Sequence, residues 1–234
     1  MILVAGPLGY QAQAQHRYHS WFRVSLGYQL SPKWQLDTEV QNRRQQDAGH
    51  HNPIALPLLF SYRNWVHFKA SSWLKLSAAP LAYFSNYSLV QNKGDVGKPP
   101  VRELRHAFSA LVQPRSSPIL GLRYRSGLEY RRFNNGQSAI WRTRNQLGIQ
   151  YHINEHSTLM IFDEIFYTVK GQPRPFTYDH NRIGISFSYR FHPSFSFDLG
   201  YIHIQRHQRA QSIAEENILV YFSYQIPSLS AKAK

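Results

Sequence analysis

Apolar and polar residues alternate with period two through most of the 234-residue chain, in about eleven segments of roughly 10–14 residues. Tight turns and longer polar loops connect these segments alternately, so hairpins recur about every 40 residues. No apolar run approaches the roughly 18 residues that a membrane-spanning helix needs. Together these observations predict an all-β fold, an antiparallel up-and-down transmembrane β-barrel of about 10–12 strands.

The elements follow in order. Residues 1–14, MILVAGPLGYQAQA, are mostly apolar or small and end in Ala12-Gln13-Ala14, the small-x-small pattern that precedes signal cleavage. They read as the remnant of a secretory signal peptide, followed by a barrel domain over 15–226 and a C-terminal tail over 227–234. The segment 21–30 puts Phe22, Val24, Leu26, Tyr28 and Leu30 on one face and Arg23, Ser25, Gly27 and Gln29 on the other. Segments at 34–44, 57–70, 73–86 and 101–113 come next. In 119–133, Leu120, Leu122, Tyr124, Leu128 and Tyr130 oppose Arg123, Arg125, Glu129 and Arg131. After 140–152 and 157–170, the segment 180–191 sets Ile183, Ile185, Phe187, Tyr189 and Phe191 against Arg182, Gly184, Ser186, Ser188 and Arg190. The last two segments are 195–206 and 217–226.

Ser31-Pro32-Lys33, Ser71-Ser72, 114–118, 153–156 and His192-Pro193-Ser194 supply the tight turns, and 45–56, 87–100, 134–139, 171–179 and 207–216 the longer loops. Outer-membrane barrels usually have an even strand count; if the tight turns are periplasmic, a twelfth strand would have to lie within residues 10–19, and the parity stays open. A β-propeller shares the period of about 40 residues, but its blades hold four short strands where this chain holds two long ones.

Composition narrows the function classes. With 42% hydrophobic and 15% aromatic residues the chain can bury a core, which excludes a disordered basic tail. It has no cysteine, so disulfides and Cys-ligated metals are excluded. The 27 basic residues, 19 of them Arg, outnumber 13 acids for a formal charge of +14. That charge is spread over one alternating face of many strands without a basic helix or patch, which argues against nucleic acid as a partner. No nucleophile elbow, phosphate loop, zinc-protease motif or dinucleotide fingerprint occurs, so no cofactor and no catalytic residue is assigned. His203 and His207, four apart on one strand, would stand roughly 13 Å apart, too far to share an ion, and no metal is expected.

Alternation alone does not say which face points outward. The polar face is rich in Arg and built from pairs such as Glu103/Arg105, Arg123/Arg125, Glu129/Arg131 and Arg142/Arg144, which can zip into bidentate ion pairs with neighbouring strands. Aromatic residues crowd the strand ends beside the tight turns, at Tyr28, Trp34, Phe68, Trp73, Tyr151, Phe191 and Phe195, as in an interfacial girdle. Both features favour an apolar face turned to lipid over a soluble, ligand-binding β-barrel. The lumen would then hold Arg23, Arg43, Arg63, Lys69, Lys75, Arg105, Arg123, Arg125, Arg131, Arg142, Arg144, Arg182 and Arg190. The acids of the same parity are Asp37, Glu39, Glu103, Glu129, Glu164 and Asp198, with Glu164 expected inside and its neighbour Asp163 outside.

Two readings of this lumen stay open: a network that fills and rigidifies a narrow barrel, or a positive field that selects anions. A lipid-modifying enzyme is a further alternative, with His106 on the apolar face and Ser109 and Ser126 in nearby strands.

The strings YQLSPKWQLDTEVQNR, ELR, RYRSGLEYRRF, WRTRNQLGIQY, FDEIFY and NRIGISFSYRF, in that order between Trp21 and Ile226, resemble the outer-membrane barrel family catalogued as domain of unknown function 2490. The resemblance implies a barrel in the cell outer membrane and supplies no activity or catalytic residues. The chain departs from the usual pattern of outer-membrane barrels by continuing past its last aromatic strand, from Pro227 to Lys234. The expected partners are outer-membrane lipid and small anions.

Overall fold

The computed structural model describes residues 15–114, 117–171, 176–207 and 212–226. The leader expected over 1–14 and the tail over 227–234 lie outside the described residues. Within them, eleven strands form one closed barrel in sequential order. They are β1 (Gln15–Gln29), β2 (Trp34–Gln45), β3 (Leu56–Lys69), β4 (Leu74–Asn86), β5 (Val101–Val112), β6 (Leu120–Phe133), β7 (Ile140–His152), β8 (Ser157–Lys170), β9 (Thr177–His192), β10 (Phe195–His207) and β11 (Ser212–Ile226). All eleven alternating segments are strands. The open parity resolves to eleven among the described residues: residues 15–19 begin β1 rather than forming a twelfth strand, and 10–14 lie outside the described residues. An odd number of alternating strands brings the first and last into the same direction, so β1 and β11 close the barrel in parallel. Every other neighbouring pair is antiparallel.

Small polar side chains hold the tight turns. The Ser31 hydroxyl accepts the Trp34 N–H at 3.1 Å, and the Ser71 hydroxyl accepts that of Leu74 at 3.1 Å. The Asn154 side chain accepts the N–H groups of His156 and Ser157 at 2.9 and 2.8 Å. Each side chain mimics the backbone acceptor that closes a turn.

Two irregularities re-aim side chains. Pro80 sits in mid-β4 and has no N–H to give to a ladder, and the register with β5 shifts between Ala79 and Ala82. Lys75 and Ser77 face the lumen before the shift and Phe84 and Asn86 after it, so the inward parity of β4 changes from odd to even. At the start of β9, Phe166 pairs with His180 and Tyr167 with Tyr178, which leaves Asp179 as the extra residue of a bulge.

Alternation sorts the two faces of the barrel. Val24, Phe108, Ile149 and Ile161 point outward and are 60%, 57%, 59% and 56% exposed. Trp34, Trp73, Tyr151, Phe191 and Phe195 are exposed at the tight-turn end, where Phe195 lies against both Phe191 and Tyr224. The inward face carries the charge and encloses a cavity of about 850 Å³.

Candidate functional site

The lumen site is built on β5 to β9. Glu103 on β5 accepts Arg105 Nε at 2.8 Å and Arg131 Nε and Nη2 at 2.6 and 2.9 Å. Glu129 on β6 accepts Arg142 Nη2 at 2.7 Å and Nε at 3.1 Å, with Arg144 at 3.3 Å and Arg105 at 3.4 Å. Glu164 on β8 accepts Arg144 Nη2 at 2.7 Å and Arg125 at 2.8 Å, while Arg182 stands at 3.8 Å. Arg142 also donates to Asp179 at 3.1 Å. Glu103, Glu129 and Glu164 are almost fully buried, so their charges stand in a medium where multiple guanidinium partners are required. Aromatic rings tile the wall beneath the guanidinia. Arg105 lies 3.8 Å over Phe84, and Arg142, Arg144 and Arg182 lie 5.0, 5.2 and 4.3 Å from the centre of Phe166.

On the opposite wall Glu39 of β2 pairs with Arg63 of β3 and, at 3.5 Å, with Arg23 of β1, which covers the Tyr221 ring at 3.8 Å. Three lining cations form no ion pair among the described residues. Arg43 lies 3.6 Å over the Trp21 ring and reaches only Gln41, at 3.2 Å. Arg123 donates to Gln146, and Lys75 lines the same cavity.

Eleven of the thirteen cations expected inside thus line the cavity, and the first exception is Arg190. It is exposed beside the β9–β10 turn, where strand parity no longer decides burial. Lys69, expected inside, is likewise exposed at the tight-turn end. Glu164 is buried and Asp163 exposed, as the alternation requires.

Some members of the network escape sequence reasoning. Asp179 reaches Arg142 through the β9 bulge. Glu215, on β11 ahead of the segment recognised from the sequence, binds Arg206 and stands 3.5 Å from His19. Arg206 shares the inward parity of Asp198, so alternation alone would have found it. Among the described residues, twelve lining cations face eight carboxylates, five lining the cavity and three (Glu103, Glu129 and Glu215) bound to lining Arg, a surplus of four.

At the long-loop end, the connection between β4 and β5 tucks against the mouth. The buried Gln45 amide donates to the carbonyls of Pro57 and Ser88, each at 2.9 Å, and its oxygen accepts the Val90 N–H at 3.1 Å. Arg17 donates to the Val90 carbonyl. A single 3₁₀ turn, Lys93–Asp95, follows, with a reciprocal cap between Asn92 and Asp95.

The enzyme candidates do not converge. His106 is exposed on the outer face, bonded to the Pro80 carbonyl and stacked near Tyr130. Ser109 lines the lumen, on the other side of the same sheet, and Ser126 donates to Asn145 at 2.8 Å. No group of three His, Asp or Glu among the described residues is arranged to hold a metal ion.

Among solved structures, a NanC porin shares the fold at a TM-score of 0.50, covering 89% of this chain and 98% of its own, with 9% sequence identity. The comparison with curated proteins gives no match. The family described as "Protein of unknown function (DUF2490)" matches residues 18–214. An eleven-stranded, porin-like barrel matched over that span belongs to the DUF2490 family.

Proposed function

We propose that this protein is an outer-membrane barrel whose lumen conducts small anions. The observation that carries the proposal is the surplus of four positive charges around a cavity of about 850 Å³, with Arg43, Arg123 and Lys75 outside every ion pair among the described residues. A network that served only to fill the barrel would gain by matching each guanidinium to a carboxylate, because an unmatched charge in a low-dielectric interior is costly. Unmatched cations that line a wet path instead raise the local anion concentration.

The outer face supports the membrane setting. Isoleucine, valine and phenylalanine at more than half exposure would be an aggregation hazard in water and match the acyl chains of a bilayer. The aromatic ring at the tight-turn end suits a headgroup boundary.

The test is single-channel recording of the detergent-purified protein in a planar bilayer. Open-channel steps are expected, with anion preference reduced by Arg123→Ala and, more weakly, by Arg144→Ala, whose charge is already neutralised by two carboxylates. A silent bilayer, or a cation preference, would overturn the reading in favour of a plugged scaffold.

A further inference from the structure

We infer that the lumen binds an amphipathic anion, a carboxylate on an apolar body, with its head between Arg43 and Arg182 and its body against Phe162, Ile202 and Leu219. The inference rests on the lumen being an anion path and names the class of anion that path suits.

The head site follows from the distribution of charge. On the β5–β8 wall, Glu103, Glu129 and Glu164 each gather several guanidinia, so that wall is largely neutralised. Arg43 has a glutamine oxygen as its polar partner, and its Nε has none. Arg182 gives its Nε to His180 at 3.1 Å and meets Glu164 only at 3.8 Å, beyond hydrogen-bond distance. Both guanidinium carbons face the one Trp21 ring, at 3.6 and 5.3 Å. Two cationic forks from β2 and β9 therefore meet at one aromatic ring, with no carboxylate among the described residues hydrogen-bonded to either. Their planar donor edges suit a bidentate oxyanion, which would relieve their mutual repulsion.

The body site follows from what the cations leave bare. Trp21, Tyr221, Phe84 and Phe166 each carry a guanidinium over the ring. Phe162, Ile202 and Leu219 line the same cavity and carry none; they pack with Trp21 as an apolar cluster inside the barrel. Beside them the inward positions are small: the Phe162 ring occupies the place where a Cβ of Gly184 would stand, and Ser186 and Gly200 adjoin on β9 and β10. The cavity supplies the space and this wall an apolar surface. A bare inorganic anion gains nothing from it, whereas each methylene withdrawn from water gains about 0.8 kcal/mol, or up to about fourfold in affinity.

The experiment titrates acetate, butyrate and hexanoate into the detergent-purified chain, with empty micelles as the partition control and chloride conductance recorded on the same preparation. Binding should tighten along the series by up to about fourfold per methylene. Arg43→Gln should weaken every member by about tenfold, and Leu219→Asn should flatten the series. Heat-modifiable gel mobility checks that both variants fold. A flat series in the unaltered protein, or hexanoate binding indifferent to Arg43→Gln, would overturn the inference. Chloride conductance with a flat series sinks this inference and leaves the anion path standing; a graded series without conductance does the reverse.

Discussion

Replacing Glu129 by Gln should separate stability from selectivity. Glu129 is 2% exposed and serves three guanidinia, with its best bonds to Arg142 at 2.7 and 3.1 Å and weaker ones to Arg144 and Arg105 at 3.3 and 3.4 Å. The amide keeps the volume but removes the charge and turns an NH₂ towards other donors. None of the three guanidinia is stranded, because Arg105 retains Glu103, Arg142 retains Asp179 and Arg144 retains Glu164. The loss is therefore about two strong charge-assisted bonds rather than an orphaned ion, which puts the destabilisation at about 3 kcal/mol. Urea unfolding in lipid vesicles, read by tryptophan fluorescence, measures it. The same substitution raises the luminal surplus by one, so anion preference in a bilayer should increase while stability falls. A midpoint shift equivalent to less than about 0.5 kcal/mol would show that the Glu129 bonds are not made as described and would refute the reasoning.

Other predictions test the surroundings of the lumen. A Cβ at Gly184 would meet Phe162 Cζ at 2.5 Å and the Tyr201 carbonyl at 3.0 Å, so Gly184→Ala should destabilise by about 1–3 kcal/mol. An unchanged urea midpoint would contradict that close packing. In the β4–β5 loop the Lys98 ammonium and the N–H groups of Gln91 and Asn92 bond the charged Asp95 carboxylate, holding it at about 2. Because the folded value lies below the ordinary value of about 4, this contribution is complete at neutral pH and is lost as pH falls through that range towards about 2. Amide exchange at Gln91 and Asn92, corrected for intrinsic rate, should accelerate across that window, and Asp95→Asn should produce the acceleration at neutral pH. Protection indifferent to both acid and substitution would count against the capped turn.

The strands were legible because a barrel wall between two different media enforces alternation along every strand. Long runs such as Leu120–Phe133 and Ile183–Phe191 admit one phase only. The luminal arginines followed from the same parity. What escaped did so for local reasons. The opening of β1, Gln15-His16-Arg17-Tyr18-His19, is polar or aromatic on both faces and carries little contrast, so Arg17 and His19 went unassigned. The adjacent Glu215 and Glu216 blur the phase at the start of β11. Asp179 faces the lumen because a bulge breaks the period, and a period cannot announce its own interruption. At the other extreme, Lys69 and Arg190 obey the parity but stand at strand ends, where the wall no longer separates two media. Losing Lys69 and Arg190 and gaining Arg206, Asp179 and Glu215 takes the inner surplus from the seven that parity alone assigns to four.

The central claim, that unmatched luminal cations make this barrel an anion path, is tested most directly by the zero-current potential of a bilayer holding the protein between unequal KCl solutions. The potential should lie towards the chloride equilibrium value, and Arg43→Gln combined with Arg123→Gln should move it towards zero. A potential on the potassium side, or one indifferent to the double substitution, would contradict the claim.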